Sequence, residues 1–393
     1  MNKPDLLLTF DFPPIGGGIA RWMSEIALRY PPGELVVSTG RLPGDIASDA
    51  RFPNVVNRVE VPSRRLKTFL GQVRWARRVL ALERKTGFRF AWCDNIRPSA
   101  YPANALWRRR AVPYGVIVHG GDLSDLRANY RRSRLKRAIA RRLLGDAAVV
   151  VANSRWTRDQ LTQVLGELDL TPPPSRIRVV LLGTDPKRFR PDVDAAPFRR
   201  ERRLPEGRWI VTVARLEPHK GIDTVIRAIR LLAEDYPDLH YAVAGEGGFR
   251  AAAESLARAV GVTDRVHFLS RVPEESLPAV YAMATIYAGL SRQTERAAEG
   301  FGISLLEAQA AGKPVVAGRS GGITDAVRDG ETGLLVDPTD PEAVATAFRS
   351  LLDDPGRART LGDSGRRAVE RTFNWDRVVA DLRAIAAESS GHQ

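Results

Sequence analysis

Residues 299–322 read EGFGISLLEAQAAGKPVVAGRSGG and place a glycine-containing loop, a helical pattern, a short apolar strand and a second glycine turn in succession. Two carboxylates, Glu299 and Glu307, stand at the ends of the first nine residues. Ser304 and Glu307 have the S-x-x-E spacing of a capping box, which predicts that Ser304 caps a helix and that 299–303 is a loop. Glu307 is then a cap, a ligand-binding group, or both.

Short strand-like runs alternate with helical patterns on both sides of this stretch. Strands are predicted at residues 5–10, 34–39, 55–61, 89–93, 115–118, 147–151, 177–181, 209–214, 239–244, 265–268, 285–289, 314–317 and 333–335. This alternation predicts an α/β fold with parallel, doubly wound sheets. Residues 183–208 break the pattern with Pro, Asp and Arg, which predicts an interdomain linker, and the chain closes on a separate helix with Asn374 as its expected N-cap.

Length and composition indicate a globular protein of two domains. The chain has 393 residues, of which 44% are apolar and 27% are charged, and this length exceeds one ordinary core. No apolar run approaches the roughly 18 residues that span a bilayer. The opening MNKPDLLLTFDF predicts a first strand rather than a secretion signal, so we expect a cytoplasmic protein. The single cysteine, Cys93, is expected to be buried in the core.

The formal charge of +14 implies acidic partners. Much of it lies in two stretches, 64–85 and 127–142, which carry apolar stripes on predicted basic helices. The expected stripe residues are Leu66, Phe69, Leu70, Val73 and Leu80 in the first stretch, and Leu135, Ile139 and Leu143 in the second. Such helices either lie on an anionic membrane surface or pack on a sheet with their arginines in solvent. Nucleic-acid binding is disfavoured because few aromatic residues interleave the basic runs.

A glycine run, Gly16–Gly18, follows the first predicted strand and opens a helix. Such a loop lets backbone N–H groups and the positive helix end approach an anion closely. It is not a dinucleotide fingerprint, because Arg21 stands where the third glycine is needed and no acid follows the second strand at Thr39. The alternative is a simple turn.

His119 ends the predicted 115–118 strand and is followed by two glycines. Ligands of open parallel sheets bind beyond the carboxyl ends of strands, so a histidine there can donate a hydrogen bond or exchange a proton near neutral pH. A structural histidine is the alternative.

Arg215 and Lys220 follow the 209–214 strand just before a helix. The guanidinium can fork onto phosphate oxygens, and the ammonium and the helix dipole add positive charge. Surface salt bridges are the alternative. A further glycine turn begins at Gly245 after the next strand. No Walker A sequence and no His/Cys metal spacing occur, and Asp192-Val-Asp194 is expected to be exposed to solvent.

Together these motifs resemble the GT-B-fold retaining glycosyltransferases of family 4. The segment 299–322 is similar to the E-x7-E signature of that family and to the helix and glycine turn that follow it. Other similar segments are ARLEPHKG at 214–221, FLSRVPEESLP at 268–278, VANS at 151–154 and GTDPKRF at 183–189. The start FDFPPIGGGI and the insertion before Glu299 look closest to GDP-mannose-dependent mannosyltransferases of the phosphatidylinositol-mannoside type.

The resemblance implies two Rossmann-like domains that face each other across a cleft. The acceptor-side domain would be 1–190 together with a C-terminal helix, 374–393, that crosses back onto it, and the donor-binding domain would be 191–373. The donor would be a sugar nucleotide, and the acceptor a glycolipid or glycan. GDP-mannose is favoured over UDP-linked sugars. The alternatives are a UDP-dependent glucosyl- or N-acetylglucosaminyltransferase, a GT-B sugar-nucleotide epimerase, or a phosphorylase.

The resemblance also assigns roles by position. Arg215 and Lys220 would grip the donor diphosphate, Glu299 the hydroxyls of the transferred sugar, and Glu307 the ribose. The other implied contacts are the backbone amides of Phe301, Gly302 and Ile303, the closing glycines Gly17 and Gly18, the turn at Gly245, the base-facing backbone of Arg271 and Val272, and His119 beside the sugar or the acceptor.

No carboxylate is placed as a nucleophile, so same-face attack is expected, with the leaving phosphate as base. No metal or other cofactor is expected if the two cations neutralise the diphosphate. The protein is expected to be cytoplasmic and peripheral on the inner face of the membrane.

Overall fold

The structure, a computed structural model, describes residues 3–294 and 297–391. The chain divides into two compact units. Residues up to Leu182, together with those from Trp375 onward, form the first unit, and Gly183–Asn374 forms the second.

The predicted linker, 183–208, lies in the second unit rather than between the two units. Thr184 N donates to Phe373 O over 2.9 Å, and Arg366 Nη1 donates to Phe189 O over 2.8 Å. These bonds fasten the start of the segment to the end of the second unit. The boundary between the two units, at Leu182 and Gly183, therefore lies before the predicted boundary at residue 190.

The first unit is built on a parallel sheet. Within its described residues the strands are β1 (Asp5–Leu8), β2 (Leu35–Arg41), β3 (Val55–Pro62), β4 (Ala91–Cys93), β5 (Tyr114–Val118), β6 (Val149–Ala152) and β7 (Ile177–Val179), in the order β3-β2-β1-β4-β5-β6-β7. The helices between them are α1 (Gly18–Arg29), α2 (Asp45–Asp49), α3 (Phe69–Thr86), α4 (Ala100–Arg110), α5 (Gly121–Arg131), α6 (Arg134–Gly145) and α7 (Arg155–Glu167). The sheet order reverses between β1 and β4, and we call this place the first switch point. Cys93 is fully buried, as predicted.

The second unit repeats this plan. Its described strands are β8 (Arg208–Val213), β9 (Leu239–Ala244), β10 (Val266–Ser270), β11 (Ile286–Gly289), β12 (Val315–Gly318) and β13 (Leu334–Val336), in the order β10-β9-β8-β11-β12-β13. Its helices are α8 (Ala196–Glu201), α9 (Ile222–Leu232), α10 (Arg250–Ala259), α11 (Leu277–Ala282), α12 (Ile303–Ala310), α13 (Ile323–Ala326), α14 (Pro341–Leu352) and α15 (Pro355–Arg371). Every strand pair is parallel. The order reverses between β8 and β11, which we call the second switch point.

The last helix, α16 (Trp375–Ser390), belongs to the first unit. Arg29 Nε lies 3.1 Å from Asp376 Oδ1, and Arg383 donates to Glu34. The helix starts directly after Asn374. The parallel doubly wound fold and the return of the chain end to the first unit agree with the GT-B architecture that the sequence suggested.

The apolar stripe predicted for the basic stretch 64–85 is confirmed in part: Leu66 is fully buried and Leu80 packs against the core, but the two residues at the start of α3 do not belong to it. Phe69 and Leu70 are 78% and 68% exposed, and the buried face of α3 carries Trp75 and Val79 instead. The reason is a short 3₁₀ turn that precedes α3 and interrupts the helical phase.

The basic stretch 127–142 is two helices rather than one. The helical conformation is interrupted between α5 and α6. Ser133 Oγ accepts a hydrogen bond from Lys136 N and caps α6. Leu143 is buried as expected, but Leu135 is 70% exposed. Each basic stretch therefore keeps one buried face and presents apolar side chains to solvent at the start of its helix.

Candidate active site

The second switch point brings together the loops that follow β8 and β11. Because crossovers leave in opposite directions on either side of such a point, a crevice forms beyond the carboxyl ends of the two strands. The loop after β8 carries Arg215 and Lys220, and the loop after β11 leads to Glu299. The fold therefore joins two motifs that are far apart in sequence.

Lys220 and Glu299 form an ion pair at this crevice. Lys220 Nζ lies 2.5 Å from Glu299 Oε2, and their side chains are only 15% and 23% exposed. Ser291 Oγ donates to the same carboxylate oxygen over 3.3 Å. Burial alone would raise the pKa of Glu299, but the Lys220 ammonium holds that pKa below its usual value. Glu299 is therefore an ionised acceptor at neutral pH.

The turn that presents Lys220 packs closely on the exit of β11. Lys220 ends a 3₁₀ turn, and Gly221, with φ 70°, precedes α9. A Cβ on Gly221 would lie 2.1 Å from Leu290 O, so only glycine fits there. Beside it, burial and the nearby Lys220 charge lower the pKa of His219, which is neutral at pH 7.

Arg215 is placed differently from Lys220. Its side chain is 76% exposed, and Nη1 lies 2.6 Å from Glu217 Oε1. The structure thus brings Lys220 to Glu299 and leaves Arg215 at the surface of the same loop, where its guanidinium is accessible to a ligand.

The helix after the Glu299 loop begins at Ile303, and the capping box predicted for Ser304 is wrong. Gly302 precedes α12 with φ 98° and no side chain caps the helix. Glycine adopts a left-handed backbone without strain, whereas serine does not. The residue that precedes the helix is therefore Gly302, and α12 starts one residue before Ser304. Its first amides have no side-chain acceptor, which makes this end an anion-binding feature. Phe301, just before it, is buried.

Glu307 lies in the second turn of α12 rather than the first. It is 2% exposed and accepts a hydrogen bond from Tyr281 Oη. Its predicted role as a cap is therefore excluded, and its contact with a ribose stays a prediction.

The glycine turn after β12 supports Glu299 through its backbone. Gly322 N donates to Glu299 O over 2.9 Å. A Cβ on Gly321, which has φ 56°, would lie 2.4 Å from the same oxygen. The two glycines at the end of the 299–322 segment thus fix the residue at its start, a contact that the sequence reading did not foresee.

The remaining predicted donor-side residues lie at the ends of neighbouring strands. Gly245 follows β9 with φ 142°, and its N–H donates to Ser270 O over 2.8 Å. Arg271 and Val272 follow β10, where Arg271 is exposed and Val272 is partly buried. These residues share the carboxyl edge of the sheet with Lys220.

At the first switch point, Gly17 (φ 125°) and Gly18 are exposed at the start of α1. No side chain caps this helix start. The glycines therefore leave the first amides of α1 without a side-chain acceptor, and anion binding at this loop stays a prediction.

Asp94 is a functional candidate that the sequence reading missed. It follows β4, is completely buried, and its Oδ2 accepts from Thr9 Oγ1 and Phe10 N over 2.8 Å each and from Asp11 N over 3.2 Å. Ser99 donates to its other oxygen. Burial raises the pKa of Asp94 to about 6. The available signal in the sequence was a carboxylate directly after a predicted strand. That strand, β4, pairs with β1, which precedes the glycine loop.

His119 joins the same cluster. Its Nε2 lies 2.5 Å from Asp94 O, and its backbone N–H donates to Asp122 Oδ1 over 2.9 Å. Because a carbonyl only accepts, Nε2 carries the proton and a neutral His119 keeps Nδ1 as an acceptor. The ring meets Trp22 edge-on at 5.2 Å.

Among the described residues, no helix is long and apolar enough to cross a bilayer, and the His, Cys, Asp and Glu side chains of those residues form no metal-holding group of three or more. Asp192 and Asp194 are exposed, as predicted.

Two Rossmann-like units, each with a parallel sheet that reverses its order at a switch point, are the architecture of the GT-B class. The model described as Glycosyltransferase Family 4 matches residues 16–188, and the model described as Glycosyl transferases group 1 matches residues 195–368. Over 375 residues, 94% of each chain, the protein is 34% identical to the GDP-mannose-dependent alpha-(1-6)-phosphatidylinositol monomannoside mannosyltransferase of Mycolicibacterium smegmatis. The enzyme of the same name from Mycobacterium tuberculosis is 31% identical over 96% of each chain. The chain belongs to glycosyltransferase family 4.

Solved structures agree at the level of the fold. Sucrose-phosphate synthase from Thermosynechococcus elongatus has a TM-score of 0.78 at 22% identity, with full coverage of both chains. HepE from Anabaena, solved with UDP and glucose, has a TM-score of 0.77 at 19% identity and the same coverage.

Proposed function

We propose that the protein is a retaining mannosyltransferase that moves mannose from GDP-mannose to a glycolipid acceptor without a metal ion. The names of the two mycobacterial relatives, which match nearly the whole chain, support the donor and the acceptor class. The observation that carries the proposal is the shielded Lys220–Glu299 pair at the second switch point.

The pair offers one charge to each half of a sugar nucleotide. Lys220, with Arg215 on the same loop, takes the diphosphate, and Glu299 accepts hydrogen bonds from the hydroxyls of the transferred sugar. The amides of Phe301, Gly302 and Ile303, together with the start of α12, lie next to Glu299 and add donors for phosphate oxygens.

The remaining donor contacts are proposed from position. Glu307 takes the ribose hydroxyls, while the backbone of Arg271 and Val272 meets the base. Gly17 and Gly18 offer the amides at the start of α1 to an anionic group of a ligand. The turn at Gly245 packs so closely on Ala214 O that a Cβ there would lie 1.9 Å from it, and it shapes the same strand edge as Lys220.

In the reaction, the bond from the anomeric carbon to the diphosphate oxygen breaks and GDP leaves with both electrons. The acceptor hydroxyl attacks the same face and gives its proton to the leaving phosphate. Charge thus grows on the diphosphate while the sugar becomes cationic. A fixed cation at the developing charge is worth ~2–4 kcal/mol, so Lys220 and Arg215 supply the neutralisation for which other enzymes use a metal ion.

The acceptor is proposed to bind the first unit beside His119. A cavity of about 230 Å³ there is lined by Lys67, Arg97, Asp122, Asp125 and Asn129, among others. Cations and carboxylates in one cavity suit a phosphorylated polyol head group, because phosphate and hydroxyls each find a partner. His119 Nδ1 is available to accept a hydrogen bond from a neighbouring hydroxyl of the acceptor or of the transferred sugar, while the attacking hydroxyl gives its proton to the leaving phosphate.

The basic stretches 64–85 and 127–142 are proposed to hold the protein on an anionic membrane surface. At the start of α3, exposed Phe69 and Leu70 stand beside the exposed Arg64 and Arg65. Apolar side chains flanked by cations are the pattern of interfacial helices. This placement would bring a lipid-embedded acceptor to the first unit.

The test is a transfer assay with GDP-mannose, UDP-glucose, UDP-N-acetylglucosamine and ADP-glucose against a phosphatidylinositol-mannoside acceptor, with EDTA added. We expect GDP and an α-linked mannolipid from GDP-mannose alone, and a thermal shift with that donor. A UDP sugar as the working donor would favour the alternative hexosyltransferase. Conversion of a sugar nucleotide without acceptor would indicate an epimerase.

A further inference from the structure

Arg292, which follows β11 in the loop leading to Glu299, holds the residues just before Lys220. Its backbone N–H donates to His219 O over 2.8 Å. Its Nη2 donates to Pro218 O, also over 2.8 Å. The two residues that precede Lys220 are thus tied to Arg292 through their carbonyl groups.

The same guanidinium holds the residues just after Lys220. Nη2 lies 2.9 Å from Asp223 Oδ2, with side chains 21% and 25% exposed, and Nη1 donates to Thr224 Oγ1 over 3.3 Å. Thr224 Oγ1 in turn donates to Pro338 O over 2.8 Å. Arg292 therefore spans the turn on both sides of Lys220 and fixes it to the start of α9.

The neighbour of Arg292 serves the other member of the ion pair. Ser291 Oγ donates to Glu299 Oε2, the oxygen that contacts Lys220 Nζ. Two consecutive residues after β11 therefore contact both members of the ion pair. Arg292 binds the backbone of the turn that carries Lys220, and Ser291 binds the carboxylate of Glu299.

We infer that Arg292 is a positioning residue, which fixes the Lys220 turn so that the ammonium is held for the donor diphosphate. The inference rests on the proposed function, since it assumes that Lys220 binds the diphosphate. A lysine has a long, flexible side chain whose ordering costs entropy, so a rigid backbone beneath it reduces what ligand binding must supply. The planar guanidinium suits this task because it bonds carbonyl, carboxylate and hydroxyl groups at once.

The test is a double-mutant cycle on GDP affinity and on the donor KM and kcat. The variants are Arg292→Ala, Lys220→Ala and the double variant, with Arg230→Ala as matched control. Arg230 lies on α9, the helix that Arg292 contacts, but its ion pair with Glu234 is exposed, with side chains 49% and 87% accessible. Arg292→Lys and Asp223→Asn provide milder variants in case Arg292→Ala does not fold.

We expect Arg292→Ala to weaken GDP binding about tenfold in the wild-type background and less than twofold in the Lys220→Ala background, because residues that act through one another are not additive. Arg292→Lys and Asp223→Asn should show a smaller loss in the same direction, and Arg230→Ala none. An equal loss in both backgrounds, or no loss with any Arg292 variant, would overturn the inference while leaving the role of Lys220 intact. If Lys220→Ala itself left GDP affinity and transfer unchanged, the proposed donor site would fail as well.

Discussion

The two switch points have the same strand topology but opposite chemistry. At the second, a cation and an anion neutralise each other in a shielded pair, Lys220 with Glu299. At the first, the carboxylate of Asp94 is wholly buried and accepts hydrogen bonds from a hydroxyl and from backbone amides. The backbone carbonyl of Asp94 accepts a hydrogen bond from His119 Nε2. The shared topology places loop residues beyond the carboxyl ends of the strands at both points, and the identity of those residues sets the chemistry of each crevice. Under the proposed function, the second switch point binds the charged diphosphate sugar and the first binds hydroxyl groups.

The largest effect is expected when the cation of the second switch point is removed. Lys220→Ala should lower kcat by about 10²–10³-fold, because one fixed donor at the developing charge is lost. Steady-state kinetics with the donor and acceptor would measure this, with Lys187→Ala as control, since Lys187 is an exposed lysine of the same unit. Retention of a third or more of the activity in Lys220→Ala would contradict this account of the second switch point.

Removal of the anion should have a similar but smaller effect. Glu299→Gln keeps the shape but leaves the Lys220 ammonium without its carboxylate, and we expect about a 10²-fold loss in kcat/KM. The folded pKa of Glu299 is lowered, so its contribution to the free energy of unfolding is present above its ordinary pKa of 4.5 and is lost as the pH falls through the folded value. Urea titrations should therefore show a gap between wild type and Glu299→Gln that is constant above pH 5 and closes in more acidic solution. A gap independent of pH would show that the ion pair does not stabilise the fold.

The first switch point should respond to pH through Asp94. The Asp94 carboxylate accepts hydrogen bonds from the Thr9 hydroxyl and from the amides of Phe10 and Asp11. Because its pKa is about 6, it becomes protonated below pH 6. We expect kcat/KM of the wild type to fall about tenfold between pH 7 and pH 5, and Asp94→Asn to be slow with a flatter profile.

The free energy of unfolding should change with pH in the opposite direction to kcat/KM. Because the folded pKa of Asp94 is raised, its protonation favours the folded state, so wild type should gain stability relative to Asp94→Asn as the pH falls from 7 towards 4. Burial raises the pKa of Asp122 and of Asp11 as well, with Lys67 and His119 lowering that of Asp11 and His119 lowering that of Asp122. The Asp11 charge in turn raises the pKa of Asp94, so the difference between wild type and Asp94→Asn reports Asp94 together with its interaction with Asp11. Parallel pH profiles for the two proteins would remove Asp94 from the account.

Among the proposed donor-binding residues, the smallest effect is expected at Glu307, and it is an effect on GDP affinity. Glu307→Gln should weaken GDP binding about tenfold if the carboxylate takes the ribose hydroxyls. Tyr281→Phe removes the hydrogen bond to Glu307 but leaves the carboxylate, and should weaken GDP binding less. Calorimetry with GDP separates the two. Equal affinities for wild type and Glu307→Gln would show that Glu307 serves only the packing of α12.

The membrane proposal concerns the first unit alone and should leave transfer to a soluble acceptor unchanged. Replacing Phe69 and Leu70 by serine should reduce pelleting with anionic vesicles several-fold, because two apolar side chains leave the interface. The matched control is Leu231→Ser, an exposed leucine of the second unit. Equal pelleting of the wild type and the double variant would count against the proposed surface.

Sequence reasoning predicted the strands well because each is a short apolar run between turn residues. It selected the candidate loops because they follow strands, and the structure places Lys220 and Glu299 of those loops in contact. It failed where the backbone overrode a side-chain pattern. Ser304 has the spacing of a cap, yet the left-handed Gly302 starts α12 earlier. Phe69 fits a helical stripe, yet a preceding 3₁₀ turn shifts the phase.

The contacts that assemble the site were beyond sequence reasoning, because they join distant residues. Lys220 and Glu299 were each selected as candidates, but nothing in the spacing indicated that they pair. Asp94 and Arg292 were missed, since a single carboxylate or arginine after a strand has many ordinary roles, and only the packed loops show what each one holds.

The most direct test of the central claim is a transfer reaction with GDP-mannose and a phosphatidylinositol-mannoside acceptor, followed by NMR analysis of the new linkage, for wild type and Lys220→Ala. The account predicts an α-mannosidic product and stoichiometric GDP from the wild type, and a rate lower by about 10²–10³-fold for the variant. A β-linked product, or equal rates for the two proteins, would contradict it.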